Sequence, residues 1–352
     1  MFNVSAASEA CRGLGEGSSG SVHVRPFFIV SSGRSGTTLL ASLLNATGRV
    51  MIPPESHFIA RAYPFYARKV NFTKGDYADA VALFMRTSQM NGWGLSESEL
   101  RSTLERECPQ SFCDINSRIY EEFLGEHGAG HTNWGIKAPA LIASLNRILR
   151  VFPDALVLHL VRDGRDVCLS YLAVNEMGEN FGPSGVLSSS LYWVDGLRRV
   201  EWLRNRSNCF EVRYEDLLAN TDETLRRVGE YLGIDTAENG GAGARAGSMM
   251  ISEHHRKTIH KKVGQAVDGN NYGKYRKAMP RASIFLFEML AAPYLSKYGY
   301  EVTYPMLGSR VFGVIRQPMY LLARLYNNVR YGLRDVVAYG RARRMRAPLV
   351  AK

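Results

Sequence analysis

The stretch Pro26-Phe27-Phe28-Ile29-Val30-Ser31-Ser32-Gly33-Arg34-Ser35-Gly36-Thr37-Thr38-Leu39-Leu40 decides the fold. Phe27 to Val30 is a short unbroken apolar run, the pattern of a strand covered on both faces. A turn-rich segment follows, and then Leu39, Leu40, Leu43 and Leu44 fall at helical spacing. A glycine loop between a buried strand and a helix turns backbone N–H groups toward an anion, and the helix dipole adds to the attraction. Gly33, Arg34, Ser35, Gly36, Thr37 and Thr38 are therefore a candidate phosphate cradle. It is not the loop of an ordinary ATP or GTP hydrolase: Thr37 stands where the phosphate lysine would follow Gly36, and the cation is Arg34, inside the loop. The plainer alternative is a Ser/Thr-rich helix start that caps its own amides.

The same grammar recurs outward from this point. A short strand is expected at Arg49 to Ile52, ending in Pro53-Pro54-Glu55, and a helical stretch covers much of Asp76 to Leu124. Asn133 to Lys137 reads as another strand end. Leu156-Val157-Leu158-His159-Leu160-Val161 is the strongest strand signal, entering Arg162-Asp163-Gly164-Arg165-Asp166 and a helix through Tyr171. Phe210 to Arg213 repeats the pattern before Tyr214, and a helix is expected over Ala282 to Tyr298. Strands alternating with helices imply an α/β fold whose parallel sheet is covered on both faces. Residues 252–277, dense in His, Lys and Arg with little apolar periodicity, read as a long surface loop near the site.

Two segments together carry a family likeness. Phe28 to Leu40 resembles the 5′-phosphosulfate loop of the sulfotransferases that use 3′-phosphoadenosine 5′-phosphosulfate (PAPS), and Leu160 to Ser170 resembles their strand-loop-helix at the 3′-phosphate. The resemblance spans about Pro26 to Leu232, reaches more loosely to Tyr300, and is strongest toward the branch holding protein-tyrosine and several carbohydrate sulfotransferases. It implies a three-layer fold like that of nucleotide kinases, with a central parallel sheet of about five strands. It implies PAPS as donor, 3′-phosphoadenosine 5′-phosphate as product, and no metal. Residue by residue, it puts Arg34 at the 5′-phosphate and sulfuryl group, Gly36, Thr37 and Thr38 on the phosphate, and Arg162 and Ser170 on the 3′-phosphate. The last pair also makes sense alone, since an Arg at a strand end offers a planar donor fork and a Ser about two turns into the next helix can face the same anion.

The resemblance also implies a catalytic glutamate at Glu55, which would take the acceptor's hydroxyl proton, with His57 as the local rival. Lys137, in Trp134-Gly135-Ile136-Lys137-Ala138-Pro139, fits the family's second active-site cation, placed to meet charge on the bridging oxygen. Tyr214 and Lys274 resemble donor-contacting positions, while Arg256, Lys257, Lys261 and Lys262 compete for the 3′-phosphate. The acceptor, a hydroxyl of a carbohydrate, glycolipid or other small molecule or of a protein tyrosine, is expected against walls from Tyr63 to Leu124 and Asn175 to Ser190. Rival readings are a P-loop kinase and a non-catalytic membrane-surface protein on a nucleotide fold.

Composition frames these expectations. The 352 residues are 45% hydrophobic and 22% charged, an ordinary globular balance with ample core. Of the net +11, +9 lies between Arg310 and Lys352, where ten basic residues meet one acid, Asp335. From Met319, residues Leu322, Leu325, Tyr326, Val329, Leu333, Val336 and Val337 share one helical face, with the arginines mostly off it. A basic amphipathic helix is expected, lying on anionic lipid or packing on the body; no nucleic-acid reader accompanies the charge. The domain expectation is a flexible leader over 1–25, a sulfotransferase domain over 26–309 and this tail over 310–352. The five cysteines are an odd number, which argues for reduced thiols. Cys108 and Cys113 have no second pair, and His254, His255 and His260 sit among cations that would repel a metal. No signal segment is legible in the leader, and the richest apolar run, Ala282 to Leu295, is broken by Glu288 and Pro293. The expected setting is cytoplasmic, peripheral on the inner face of the membrane.

Overall fold

The computed structural model describes residues 25–88, 93–127, 133–178, 182–204, 206–236 and 271–344. The leader up to residue 24, the basic candidates Arg256, Lys257, Lys261 and Lys262, and the last eight residues of the tail lie outside the described residues.

In chain order the elements are β1 (Phe27–Val30), α1 (Thr37–Ala46), β2 (Val50–Met51), α2 (Phe58–Tyr66), α3 (Lys74–Thr87), α4 (Glu97–Glu107) and α5 (Phe112–His127). There follow β3 (Asn133–Lys137), α6 (Leu145–Val151), β4 (Leu156–Val161), α7 (Gly164–Glu176), α8 (Val186–Val200) and β5 (Cys209–Arg213). The chain continues through α9 (Tyr214–Ala219), α10 (Thr221–Leu232), α11 (Tyr275–Ala278), α12 (Arg281–Lys297) and α13 (Gly313–Arg344). The five strands form one sheet in the order β2-β3-β1-β4-β5, and every pairing is parallel.

The alternation of strand side chains makes the three layers. Phe28, Val30, Ile136 and Val157 face a core shared with α2 to α6, while Phe27, Ile29, Leu158 and Leu160 face one shared with α1 and α10. A third cluster joins Val161 to α7, α8 and α12. The chain first travels from β1 to the β2 edge and later crosses to β4 on the other side. This makes the carboxyl end of β1 the switch point, where open α/β sheets place their crevice.

Three expectations change in detail. The strand foreseen at Arg49 to Ile52 keeps only Val50–Met51, because Ile52 leaves the ladder to pair with Asn45: its N–H donates to the Asn45 side chain at 2.8 Å, and its carbonyl accepts from the same amide at 3.1 Å. The helical stretch over Asp76 to Leu124 is three helices. Cys108 caps α4 in the left-handed region (φ 49°), and Pro109 after it cannot continue the turn. The tail helix begins at Gly313, earlier than Met319, and runs through Pro318. No described helix is long and apolar enough to cross a membrane.

Candidate active site

The loop after β1 is held in an uncommon backbone. Gly33 (φ 78°), Arg34 (φ 50°) and Gly36 (φ 92°) all lie in the left-handed region, which a side chain as large as arginine rarely occupies. Short bonds fix the turn: the Ser31 hydroxyl accepts from the Gly33 N–H and the Ser35 hydroxyl donates to the Gly33 carbonyl, both at 2.9 Å. Two tyrosines wall it. A Cβ at Gly33 would collide with the Tyr171 hydroxyl and one at Gly36 with the Tyr214 ring, so both positions require glycine twice over. The Tyr171 hydroxyl donates to the Ser32 carbonyl at 3.1 Å. The N-cap residue of α1 is Gly36, and no side-chain cap bond is made there to the first amides of the helix.

The second signature folds onto the first. Arg34 donates through Nε to the Ser170 hydroxyl on α7 at 3.0 Å, and Arg162, at the end of β4, donates to the Arg34 carbonyl at 3.2 Å. Arg162 is 8% exposed, its other terminal nitrogen donates to the Asn271 carbonyl at 3.1 Å, and its guanidinium lies 4.6 Å over the Tyr214 ring. Its Nε is buried without a hydrogen-bond partner. The Arg162 contact to Asp166 is long, 3.9 Å, while Asp163 turns to Arg165. Burial pushes the Arg34 guanidinium below its ordinary pKa, and the neighbouring Arg162 pushes it the same way against an opposite pull from Tyr171. Two cations close together, one with an orphaned N–H, at an uncapped helix start make a site that gains from a multiply charged anion.

Sequence reasoning missed the groups that hold this arrangement. Asp166, buried, accepts from the N–H groups of Gly273 at 2.6 Å and Tyr275 at 2.9 Å, which pins the late loop against α7. That loop delivers Asn271, whose amide donates to the Tyr214 hydroxyl at 2.7 Å. Lys274 belongs to the same pinned segment, but its side chain is exposed; Asn271 is the residue that touches Arg162 and Tyr214. Beneath them Arg165 donates to both oxygens of Asp163 and, at 2.6 Å, to Glu288, which also accepts from the Thr303 and Tyr304 N–H groups. Burial works to discharge Arg165, but its partners outweigh it and raise its pKa.

Glu55 and Lys137 meet on the other side of the loop. Lys137 ends β3 next to β1, in register with Ile29, and its ammonium donates to Glu55 at 3.1 Å. The Lys137 side chain is 4% exposed and that of Glu55 18%. His57 Nε2 lies 3.5 Å from the other Glu55 oxygen and is the more exposed of the two. The Asn45 clamp on Ile52 sets the backbone that Pro53 and Pro54 carry to Glu55. A carboxylate that keeps some contact with solvent and is bound to a buried cation is equipped to accept a proton while the cation meets developing negative charge. Among the described residues no cluster of His, Cys, Asp and Glu could hold a metal.

The chain matches the sulfotransferase family over residues 26–238. It is 26% identical over 219 residues to protein-tyrosine sulfotransferase A of Caenorhabditis elegans, covering 59% of this chain and 50% of that protein. It is 22% identical over 210 residues to the protein-tyrosine sulfotransferase of Drosophila melanogaster, covering 59% of this chain and 38% of that protein. The chain thus spans half or less of these two relatives. The sulfotransferase domain of the curacin biosynthetic pathway superposes with a TM-score of 0.52 at 17% identity, over 80% of this chain and all of that domain, a likeness of fold. The matched segment takes in the loop after β1, the junction of β4 with α7, Glu55 and Lys137, and the chain belongs to the sulfotransferase family.

Proposed function

We propose that this sulfotransferase moves a sulfuryl group from PAPS to a hydroxyl acceptor. The observation that supports this reading is the junction of Arg34, Ser170 and Arg162, which sets the loop after β1 against the end of β4 and the middle of α7. A nucleotide with phosphate at both the 5′ and the 3′ position would use both signatures. ATP would leave the Arg162 side unused, and the kinase reading also lacks its lysine at Thr37.

The donor supplies a sulfuryl group on a phosphate oxygen that becomes a good leaving group once its charge is met. Arg34 and the α1 amides hold the 5′ end, and Arg162 with Ser170 holds the 3′ end. Glu55 takes the proton of the acceptor hydroxyl as its oxygen forms the new S–O bond. Lys137 and Arg34 stabilise the bridging oxygen as the old S–O bond breaks, an interaction stronger in the transition state than before it. The acceptor is a hydroxyl of a carbohydrate, a glycolipid or another small molecule. The likeness to two protein-tyrosine sulfotransferases favours a tyrosyl hydroxyl as a second reading. Radiolabelled PAPS offered with glycan, glycolipid, phenol and tyrosyl-peptide acceptors tests this. Transfer to one class supports the reading, and no transfer to any of them, with no preference for adenosine 3′,5′-bisphosphate over AMP, overturns it.

A further inference from the structure

Helix α13 shows its two faces in the reverse of the usual order. The face turned to the body is polar: Arg316, Tyr320 and Asn327 are buried. Arg316 donates to the carbonyls of Leu307 and, at 2.7 Å, Ser309. The Tyr320 hydroxyl donates to the Leu290 carbonyl on α12, and the guanidinium of Arg198 lies 4.8 Å over its ring. Asn327 donates to Asp195 at 3.0 Å, and Asn328 accepts from Arg199 at 2.9 Å, both partners lying on α8. These anchors fix the rotation of the helix. The opposite face carries Leu322, Leu325, Val329, Leu333 and Val336 at helical spacing, each between 55% and 64% exposed. A helix on a globular protein ordinarily turns such a stripe inward.

The charge of the segment selects the occupant. From Arg310 to Lys352 the chain carries ten basic residues and one acid; the buried Arg316 is engaged with the body, which leaves 10 − 1 = 9 other basic residues. A second copy docking through the same stripe would bring two such segments together, like charge on like charge. Anionic headgroups would complement them while the acyl boundary accepted the aliphatic side chains. Tyr326, 65% exposed at the edge of the stripe, is of the amphipathic aromatic type enriched at membrane interfaces. We propose that the outward face of α13 seats on an anionic lipid surface, the helix lying in the plane of the interface. Because α13 also packs on α2 and α3, and α2 begins directly after His57, the docked helix and the Glu55 side of the site belong to one packed unit.

The full chain should co-sediment with phosphatidylglycerol vesicles and far less with phosphatidylcholine vesicles, and added salt should weaken the binding. The combined Leu322→Glu, Leu325→Glu and Val329→Glu substitutions should weaken it by about a hundredfold or more, with thermal stability and nucleotide binding unchanged. A Val329→Trp variant should shift its emission to the blue with phosphatidylglycerol vesicles. Wild-type protein that stays in the supernatant, a triple variant that sediments as well as wild type, or an emission maximum of the Val329→Trp variant that vesicles leave unmoved overturns the proposal. So does a dimer that the triple variant dissolves while neither protein binds vesicles, since the stripe would then be an interface between copies.

Discussion

Arg162 offers the sharpest test of donor recognition. A guanidinium has five N–H donors; here one goes to the Arg34 carbonyl and one to the Asn271 carbonyl, and the buried Nε has no partner. That leaves one further N–H on each terminal nitrogen, which we assign to a 3′-phosphate. A hydrogen bond to a charged group contributes roughly 1.5–3 kcal/mol, so Arg162→Ala should weaken adenosine 3′,5′-bisphosphate binding by roughly 10- to 100-fold. AMP, with no 3′-phosphate, should lose little. Because Arg162 also braces the Arg34 carbonyl, the substitution disturbs the 5′ side too, and the ratio of the two affinities is the quantity to read. Arg162→Lys keeps the charge but not the fork and should fall between. Isothermal titration of both nucleotides against wild type and the two variants measures the ratio. If both nucleotides weaken by the same factor, Arg162 shapes the loop and does not read the 3′-phosphate.

Glu55→Gln should cut turnover by about 10²–10⁴ with bisphosphate affinity nearly unchanged, and His57→Asn should do much less; steady-state kinetics with both variants would move the base to His57 if the ranking reversed. Glu288→Ala strips a buried partner from Arg165 and two backbone N–H groups, so it should cost about 3–5 kcal/mol in a denaturant titration; a loss under about 1 kcal/mol would mean that water replaces the carboxylate. Burial pushes the Glu211 carboxyl up, but the His159 and Arg204 partners outweigh it and hold it below the usual range. The unfolded chain then binds the proton more tightly, so the stability that Glu211 adds is present above the ordinary Glu value, about 4.3, and is lost as pH falls through the lower folded value. Glu211→Gln should flatten the acid side of the profile of unfolding midpoint against pH, and an unchanged slope would refute the pairing.

What the sequence disclosed and what it hid divide along the range of the interactions. Phe27 to Val30 and Leu156 to Val161 are buried on both faces, so their continuous apolar runs announce central strands without any partner being known. The cradle was legible because Gly33 and Gly36 do local work. Asn45 was not, although Ile52 is only seven residues away, because an Asn near a helix end reads first as a terminator. Asp166 sits inside the second motif, four residues after Arg162, where nothing local marks it out. Its ligands are the amides of Gly273 and Tyr275, over a hundred residues later, and no periodicity relates them. In the sequence Glu288 reads only as an interruption of an apolar run, whereas it is the fully buried carboxylate on which Arg165 closes.

The rotation of α13 shows the limit most clearly. A helical wheel yields two faces but not which one turns inward; that depends on the surface waiting for it. On α8, Asp195 and Arg199 form a buried pair at 2.9 Å whose remaining hydrogen-bonding capacity must be met. Turning the aliphatic stripe inward would gain about 1.5–3 kcal/mol for each Leu or Val fully covered. It would also strip water from both ions and remove Asn327 and Asn328, a penalty of several kcal/mol per uncompensated ion. The two terms are of similar size and oppose each other on the protein surface alone. A separate apolar phase removes the conflict, because Asn327 and Asn328 then keep the ions satisfied while the acyl boundary takes the stripe.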